Sequence, residues 1–536
     1  MSSQKAQRYD VVVIGGGHNG LTAAAYLARA GHSVCVLERR EQIGGAAMSE
    51  ELYPGFTYST CSYVASLLRP EIMRTLDLPS HGLQIIPYEG SLNVLGDGRS
   101  LASYPDHDRN RREIAKFSHR DAEAYDRYGL EIMRQCRFIR PMLLMTPPDP
   151  TSLSIGDLKD LMKLGGMFAD LGEQRLHDTL RFWLTSCGDF LDEYFESDVV
   201  KGHLAGSSII GTALGPYSPG SAYVLLHHYM GEVDGTIGAW GYARGGMGAI
   251  SKALGSAART FGAEIRTDAE VETVIVRHGR AVGVALANGE EVMGRTILSN
   301  QDFRRITTKM KWSEPLPEAV VKQGRDYKIR GSSGKLNIAL DGLPKFTGVE
   351  AHGTPSLNGD IHYSPSLEYI EKAYDDWKYG MWSRRPYVDV VVPTLIDPTM
   401  APDGKHFMSV FVQYVPPTLH DGPWTAEKRD AFGETVIDLL EQMAPGIRNM
   451  ILHKQVRSPW DIENEVGLSE GNIFQGELTM DQLMFNRPVP GMAQYRGPIP
   501  GFYMCGSSNH PGGGVMGAPG HNAARELMAD LAGGKV

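Results

Sequence analysis

Glycine, acid and imidazole occur at the two ends of this chain in spacings that suit the handling of a nucleotide and a proton. Near the start, Gly15-Gly16-Gly17-His18-Asn19-Gly20 places glycine at the first, third and sixth positions, and Glu38 follows 18 residues after Gly20. Gly15 permits a tight turn, Gly17 lets the backbone approach a pyrophosphate, and Gly20 lets a helix pack closely on a strand. Glu38 can accept hydrogen bonds from ribose hydroxyls. Near the end, Gly506 is followed by His510-Pro511-Gly512-Gly513-Gly514-Val515-Met516-Gly517. His510 stands at the mouth of that turn. An imidazole there is a candidate proton acceptor, because its ordinary pKa lies near working pH; a backbone-capping role is the structural alternative.

These residues need elements to position them. The apolar run Asp10-Val11-Val12-Val13-Ile14 reads as a strand entering the first glycine turn, and an Ala-rich helix over 21–30 leaves it. A second strand over 33–37 ends at Glu38. Strand, glycine turn, helix, strand and acid make a dinucleotide-binding unit, whose helix start offers free N–H groups and a positive dipole end to phosphates. The apolar run 501–506 repeats the plan: a strand, a glycine turn, and a helix over about 520–532. Its helix start faces something electron-rich. A third segment agrees with both. Gly245-Gly246-Met247-Gly248 opens a helix to Ala258, strands follow at 271–276 and 281–286 with a hairpin turn at Asn288-Gly289, and 296–300 returns to the main sheet.

Between these pieces the periodicity changes. Residues 111–200 read as helices with charged faces, broken by Pro147-Pro148-Asp149-Pro150. Residues 310–480 alternate strands (335–340, 388–392, 406–415) with a long amphipathic helix over 427–443. The organisation expected is a discontinuous dinucleotide-binding domain (1–110, 235–309 and 481–536), a mainly helical substrate or lid region (111–234), and a substrate domain with an antiparallel sheet (310–480). The stretch 54–62 reads as a loop crossing back over the cofactor.

At 536 residues the chain is long enough for two to four domains. Its net charge of -10 provides no basic field for nucleic acid. The five cysteines, Cys35, Cys61, Cys136, Cys187 and Cys505, form no close pair, which excludes a redox disulfide or a thiolate metal site. No metal is expected; His227-His228 has no third ligand beside it. No run approaches the roughly 20 apolar residues of a spanning helix. The expected location is cytoplasmic, with peripheral membrane contact as the alternative. The Met-rich pieces 138–145 and 162–168 are expected in buried core, a lipid-dipping face being their second reading.

The chain resembles known flavoproteins. After Glu38, Arg39 is followed by Gly44-Gly45-Ala46. In flavoproteins like glutathione reductase and the amine oxidases, such a glycine pair lies against the ribityl-phosphate end of FAD. That resemblance favours FAD over NAD and places Arg39 near the adenosine or its phosphates. The His510–Gly517 run resembles the C-terminal flavin motif of the phytoene desaturase family. Phe56-Thr57-Tyr58-Ser59, Pro219-Gly220-Ser221-Ala222-Tyr223 and Gly238-Ala239-Trp240-Gly241-Tyr242 are similar to the pyridine nucleotide-disulphide oxidoreductase domain-containing protein 2 branch of those proteins. The resemblance implies an α/β fold, a glutathione-reductase/amine-oxidase-like FAD-binding Rossmann domain with an inserted α+β substrate domain. It implies noncovalent FAD held by Gly15, Gly17, His18, Asn19, Gly20, Glu38, Arg39, Gly44, Gly45 and Ala46. Val271 would meet the adenine, and Gly506, Gly513, Gly514, Val515 and Met516 the flavin. It also places Ser59 and Cys61 on the substrate wall; Trp240 and Tyr242, bracketed by glycines, are candidates for the same wall, with aromatic core as the equal alternative.

Amine-oxidase relatives hold a lysine over the flavin through a water, which would give Lys335 a part in proton handling or oxygen activation; a solvated strand-edge lysine is the plainer reading. Where carotenoid desaturases carry Asp-Thr-Gly-Pro, this chain has Ser59-Thr60-Cys61-Ser62, so the resemblance does not extend to carotenoid as substrate. The activity expected is an FAD-dependent desaturase or dehydrogenase taking hydride from a CH–CH group of a small lipophilic substrate. An external acceptor (O2, quinone or an electron-transfer protein) reoxidises it, since no second nucleotide motif is present. A CH–NH amine oxidase and a non-catalytic flavin-bound scaffold are the alternatives. The oligomeric state is not legible.

Overall fold

The protein is described here by a computed structural model covering residues 8–536. The first strand, β1 (Arg8–Ile14), is buried on both faces at Val11, Val12 and Val13, as a strand inside a helix-covered parallel sheet must be. It pairs in parallel with β2 (Val34–Leu37) on one side and with the strand Glu291–Ser299 on the other. The crossover helix α1 (His18–Arg29) carries Ala23, Ala24 and Ala25 on buried positions. Their small side chains let two further helices, Gly248–Thr260 and Ala518–Ala532, pack against α1. The C-terminal strand Phe502–Met504 joins the same sheet in parallel beside Glu291–Ser299. Three distant stretches of chain therefore build one sheet, and both glycine turns leave it at the same edge of the strands.

A second, seven-stranded sheet runs in the order Ile451–Arg457, Ser333–Leu340, His406–Gln413, Tyr387–Val391, Ile361–Tyr363, Ser91–Val94, Ser100–Ser103. It is antiparallel except where Ile361–Tyr363 meets Ser91–Val94. Residues 91–103 thus belong to this sheet and not, as expected from the sequence, to the dinucleotide unit. The stretch 54–62 is likewise only partly loop. Ser49–Tyr53 and Phe56–Ser59 form a hairpin, and irregular chain begins at Thr60.

Helices cover the second sheet, including His119–Ile139, Glu173–Leu184 and Ser221–Tyr229, with Tyr128, Ile132, Phe182 and Phe190 in the shared core. Ser118 and Ser154 cap helix starts by accepting from the backbone N–H groups of Asp121 and Asp157. Met142 and Leu143 are buried as expected. The helix Ile155–Ala169 is not: Met162 is 69% exposed and Ile155 73%, with Leu164 alone buried. It is an outer helix, and only one narrow stripe of it has anything to pack against. Among the described residues no helix is long and apolar enough to cross a membrane.

Candidate active site

The first glycine turn forms one end of a cleft. Gly15 takes a left-handed φ of 94°, and a Cβ on Gly20 would stand 2.3 Å from the carbonyl oxygen of Gly15. Only glycine allows the helix to begin so close to the strand. Gly17 caps α1 without any side-chain hydrogen bond, and the first turn has no acidic residue, so the helix start is available to an anion. Glu38 is buried. Its carboxylate accepts from the backbone N–H of Gly16 at 2.8 Å and of Arg40 at 3.0 Å, which fixes its rotamer at the cleft wall. The N–H of Gly44 donates to the carbonyl of Gly16, bringing the second glycine pair beside the first. Gly15, Gly17, His18, Asn19, Glu38, Arg39, Gly45, Ala46 and Val271 all line this cleft. Asn19 Oδ1, His18 Nε2 and Gln301 Oε1 have no hydrogen-bond partner among the described residues. Buried polar atoms of this kind require partners, and a dinucleotide supplies them; the cleft therefore fits FAD.

The two ends of the chain meet here. Asn19 Nδ2 donates to Ser507 Oγ at 3.1 Å, and a Cβ on Gly520 would lie 2.1 Å from the carbonyl oxygen of Asn19. The C-terminal turn is held from behind by Arg487, fully buried, whose guanidinium donates to the carbonyls of Ser507 and Glu477, both at 2.8 Å. His227 Nε2 lies 3.0 Å from the carbonyl oxygen of Gly513 and donates to it; burial lowers its pKa to about 3. Gly506, with Gln301 and Asn300 carbonyls 2.7 and 2.9 Å from where its Cβ would be, admits no side chain. Met516 is buried, and its carbonyl accepts from the N–H of Arg69. Gly513, Gly514, Val515 and Met516 are thus part of a turn locked from both sides; neither they nor Gly506 line the cleft, and the turn meets it through Ser507 on Asn19 and Gly506 against Gln301.

His510 is directed elsewhere. Its Nε2 donates to the carbonyl of Met142 at 2.8 Å, burial lowers its pKa to about 4, and it does not line the cleft or the cavity described next. The geometry is that of the structural alternative. Lys335 also departs from expectation. Its strand is buried along its whole length, and the side chain is 3% exposed, so it is not a solvated edge lysine. Its ammonium nitrogen donates to the carbonyls of Ser59 and Cys61, both at 2.6 Å, and of Ser62 at 3.3 Å. Burial, with the Arg457 cation adding to it, lowers its pKa to about 7. Arg457 Nη1 holds the carbonyl of Thr60 from the same side at 2.7 Å.

The loop so anchored separates two spaces. On one side, Ser62 N–H donates to the carbonyl of Ala46, a cleft residue. On the other, Tyr63 and Val64 line a cavity of about 860 Å³. That cavity is walled by aromatic and aliphatic side chains, among them Tyr88, Tyr229, Trp240, Ile132 and Ile210, and it reaches the surface at Leu130, which is 57% exposed. Trp240 is the one member of the expected substrate wall that lines it. Ser59 is buried, accepting from Met247 N–H; Cys61 packs with Ile462 and Leu468; Tyr242 stands behind Tyr88 and donates to the carbonyl of Gly359. Tyr63 and Val64, two and three residues beyond Cys61, take that place. Arg39 lines the cleft but its guanidinium is bound to the carbonyls of Asn464 and Glu465. Arg487 and His227 are not legible as anchors of the turn: Arg487 lies in a loop of no regular pattern, and His227 meets a carbonyl 286 residues away.

Comparison with known proteins agrees with this geometry. Residues 13–77 match the NAD(P)-binding Rossmann-like domain, and residues 183–528 match the family described as flavin containing amine oxidoreductase. Pyridine nucleotide-disulfide oxidoreductase domain-containing protein 2 of Mus musculus is 42% identical, across 98% of this chain and 94% of its own. A limonene dehydrogenase subunit of Castellaniella defragrans is 26% identical, across 98% and 96%. A cofactor-binding redesign of putrescine oxidase has the same fold, with a TM-score of 0.60 at 15% identity over 98% and 99% of the two chains.

Proposed function

Because the chain belongs to the flavin containing amine oxidoreductase family, we propose that it is an FAD-dependent oxidoreductase that oxidises a CH–CH group of a lipophilic substrate held in the 860 Å³ cavity. Bound FAD supplies a hydride-accepting, two-electron centre. The protein's part is to bind, orient and exclude water. Gly15, Gly17, Gly20 and the start of α1 take the pyrophosphate, Glu38 the ribose, and Val271 the adenine. Gly44, Gly45 and Ala46 take the ribityl end, and the locked turn from Gly506 through Gly513, Gly514, Val515 and Met516 takes the reactive ring. Lys335 and Arg457 hold the wall loop at 60–64 so that Tyr63 and Val64 present the substrate to the cofactor side.

The single observation that carries the reading is that shared wall: one short loop touches the dinucleotide cleft through Ser62 and Ala46 and the apolar cavity through Tyr63 and Val64. Cavities of ~300–1,000 Å³ with mostly apolar walls suit small lipophilic ligands. The relative named as a limonene dehydrogenase subunit supports a hydrocarbon-like substrate class. Reoxidation falls to O2, a quinone or an electron-transfer protein. Anaerobic mixing with a panel of terpenoids and polyenes is expected to bleach the flavin absorbance for at least one member. Bleaching by amines alone would replace this reading with amine oxidation. That second reading has its own observation, two carboxyl groups on the cavity wall, Asp360 and Asp389.

A further inference from the structure

The cavity wall carries a cluster of polar side chains from the second sheet and the helix Asp198–Ala205; His107, Asn110 and Asp126 make a separate polar edge on the helices His107–Ala115 and His119–Ile139. Asp389 and His362 are directly opposed in the pairing of Tyr387–Val391 with Ile361–Tyr363, so their side chains rise from the same face. His362 Nδ1 lies 2.9 Å from Asp360 Oδ2, His203 Nδ1 lies 3.0 Å from His362 Nε2, and Ser103 Oγ lies 2.6 Å from His203 Nε2. With Asp360 ionised, this chain has one consistent direction: Ser103 donates to His203, His203 to His362, and His362 to Asp360. Burial raises the carboxyl of Asp360, but the His362 hydrogen bond and the two imidazoles outweigh it and keep it below the usual range. Every member of the chain is satisfied by another member.

Asp389 is not satisfied. It is 6% exposed and lines the cavity. One oxygen, Oδ2, accepts from the hydroxyl of Tyr63 at 2.7 Å; the other, Oδ1, has no hydrogen-bond partner among the described residues. Burial, then the neighbouring Asp360 charge, push its pKa well above the usual range. The two carboxyls are therefore pushed in opposite directions, Asp360 toward its charged form by its hydrogen-bond chain and Asp389 toward its protonated form by burial and the Asp360 charge. An unpaired polar oxygen of this kind in a buried wall is matched by a ligand atom or left at a cost.

We propose that Asp389 is a specificity-determining residue that selects, among lipophilic molecules entering this cavity, those carrying a hydroxyl or carbonyl oxygen, to which its Oδ1 side donates. The inference rests on the reading of the cavity as a lipophilic substrate site. It names the substrate class as mono-oxygenated apolar compounds, isoprenoid alcohols and ketones by size, in place of bare hydrocarbons.

The test is equilibrium binding of matched C15 probes to the FAD-loaded protein by isothermal titration under argon. Farnesol is expected to bind roughly ten- to a hundredfold more tightly than farnesene, the range set by one buried hydrogen bond made or left open. Asp389→Val is expected to abolish the preference, while Asp389→Asn, which keeps a donor and the volume, is expected to preserve it. Equal binding of farnesol and farnesene by the unmodified protein overturns the inference without any variant needing to fold. Survival of the preference in Asp389→Val overturns it too. Tighter binding of farnesylamine than of farnesol overturns it in favour of an ionised carboxylate. If neither farnesol nor farnesene binds, the lipophilic reading of the cavity itself fails, a result distinct from loss of the oxygen preference.

Discussion

Replacing Lys335 with methionine removes a buried amine that three backbone carbonyls share, and the consequence should depend on pH in a defined way. The pKa of Lys335 is lowered from 10.5 to about 7 by burial and by Arg457. Between those values the unfolded chain holds a proton that the folded chain has released. Stability of the native protein therefore rises with pH through the window from about 7 to 10.5 and is flat, with respect to this group, below it. Each unit is worth about 1.4 kcal/mol; allowing for half-protonation at the lower end, the gain from pH 7 to pH 9 is about 2 kcal/mol. Lys335→Met lacks the term. It also removes the two N–H donors that the neutral amine keeps for the carbonyls of Ser59, Cys61 and Ser62, a pH-independent loss of about 1–3 kcal/mol for each of two buried carbonyls left unpaired. The difference in stability between the native protein and the variant should thus widen by about 2 kcal/mol over those two pH units. At an unfolding entropy of about 1.1 kcal/mol/K for a chain of this length, that is a widening of ~2 °C in melting temperature. Paired melting curves of the two proteins at pH 7 and pH 9 read it directly, because every other titrating group cancels in the difference. An equal difference at both pH values would refute the reasoning: the three carbonyls would then be holding the ammonium at its ordinary pKa against burial.

Two further outcomes concern the cofactor turns. Gly20→Ala puts a Cβ 2.3 Å from the carbonyl oxygen of Gly15, so α1 must shift off β1. A destabilisation of about 1–3 kcal/mol and loss of co-purifying flavin absorbance are expected, and full flavin content would contradict the assigned role. His510→Asn loses the bond to the Met142 carbonyl, so melting should fall by an amount corresponding to about 1–3 kcal/mol while the rate of flavin reduction by a working substrate stays within about threefold; a rate loss beyond about a hundredfold, some 3 kcal/mol of barrier, would return His510 to the chemistry.

Features written in consecutive residues were legible before the fold was known. The unit from β1 through Gly20 to Glu38 is one covalent run, so strand, turn, helix and acid are each constrained by the next, and the same holds for the strand and turn before Ala518–Ala532. Glycine at Gly15 and Gly20 is demanded by local φ and local crowding, which a sequence records. Features that depend on pairing across long separations were not. Ile361–Tyr363 pairs in parallel with Ser91–Val94, and no local period announces it, so residues 91–103 could be assigned to the substrate sheet only once it was closed. Alternation identified Lys335 as lying on a strand, but that strand is central and buried on both faces, which turned an expected solvent-facing lysine into a buried anchor. The exposed face of Ile155–Ala169 reads like core because hydrophobicity alone does not say whether anything packs there. Tyr63 and Asp389, 326 residues apart, form the polar wall of the cavity only because sheet register fixes where each side chain points. A glycine turn carries its own geometry in its backbone; a substrate wall is a property of which surfaces the folded chain brings together.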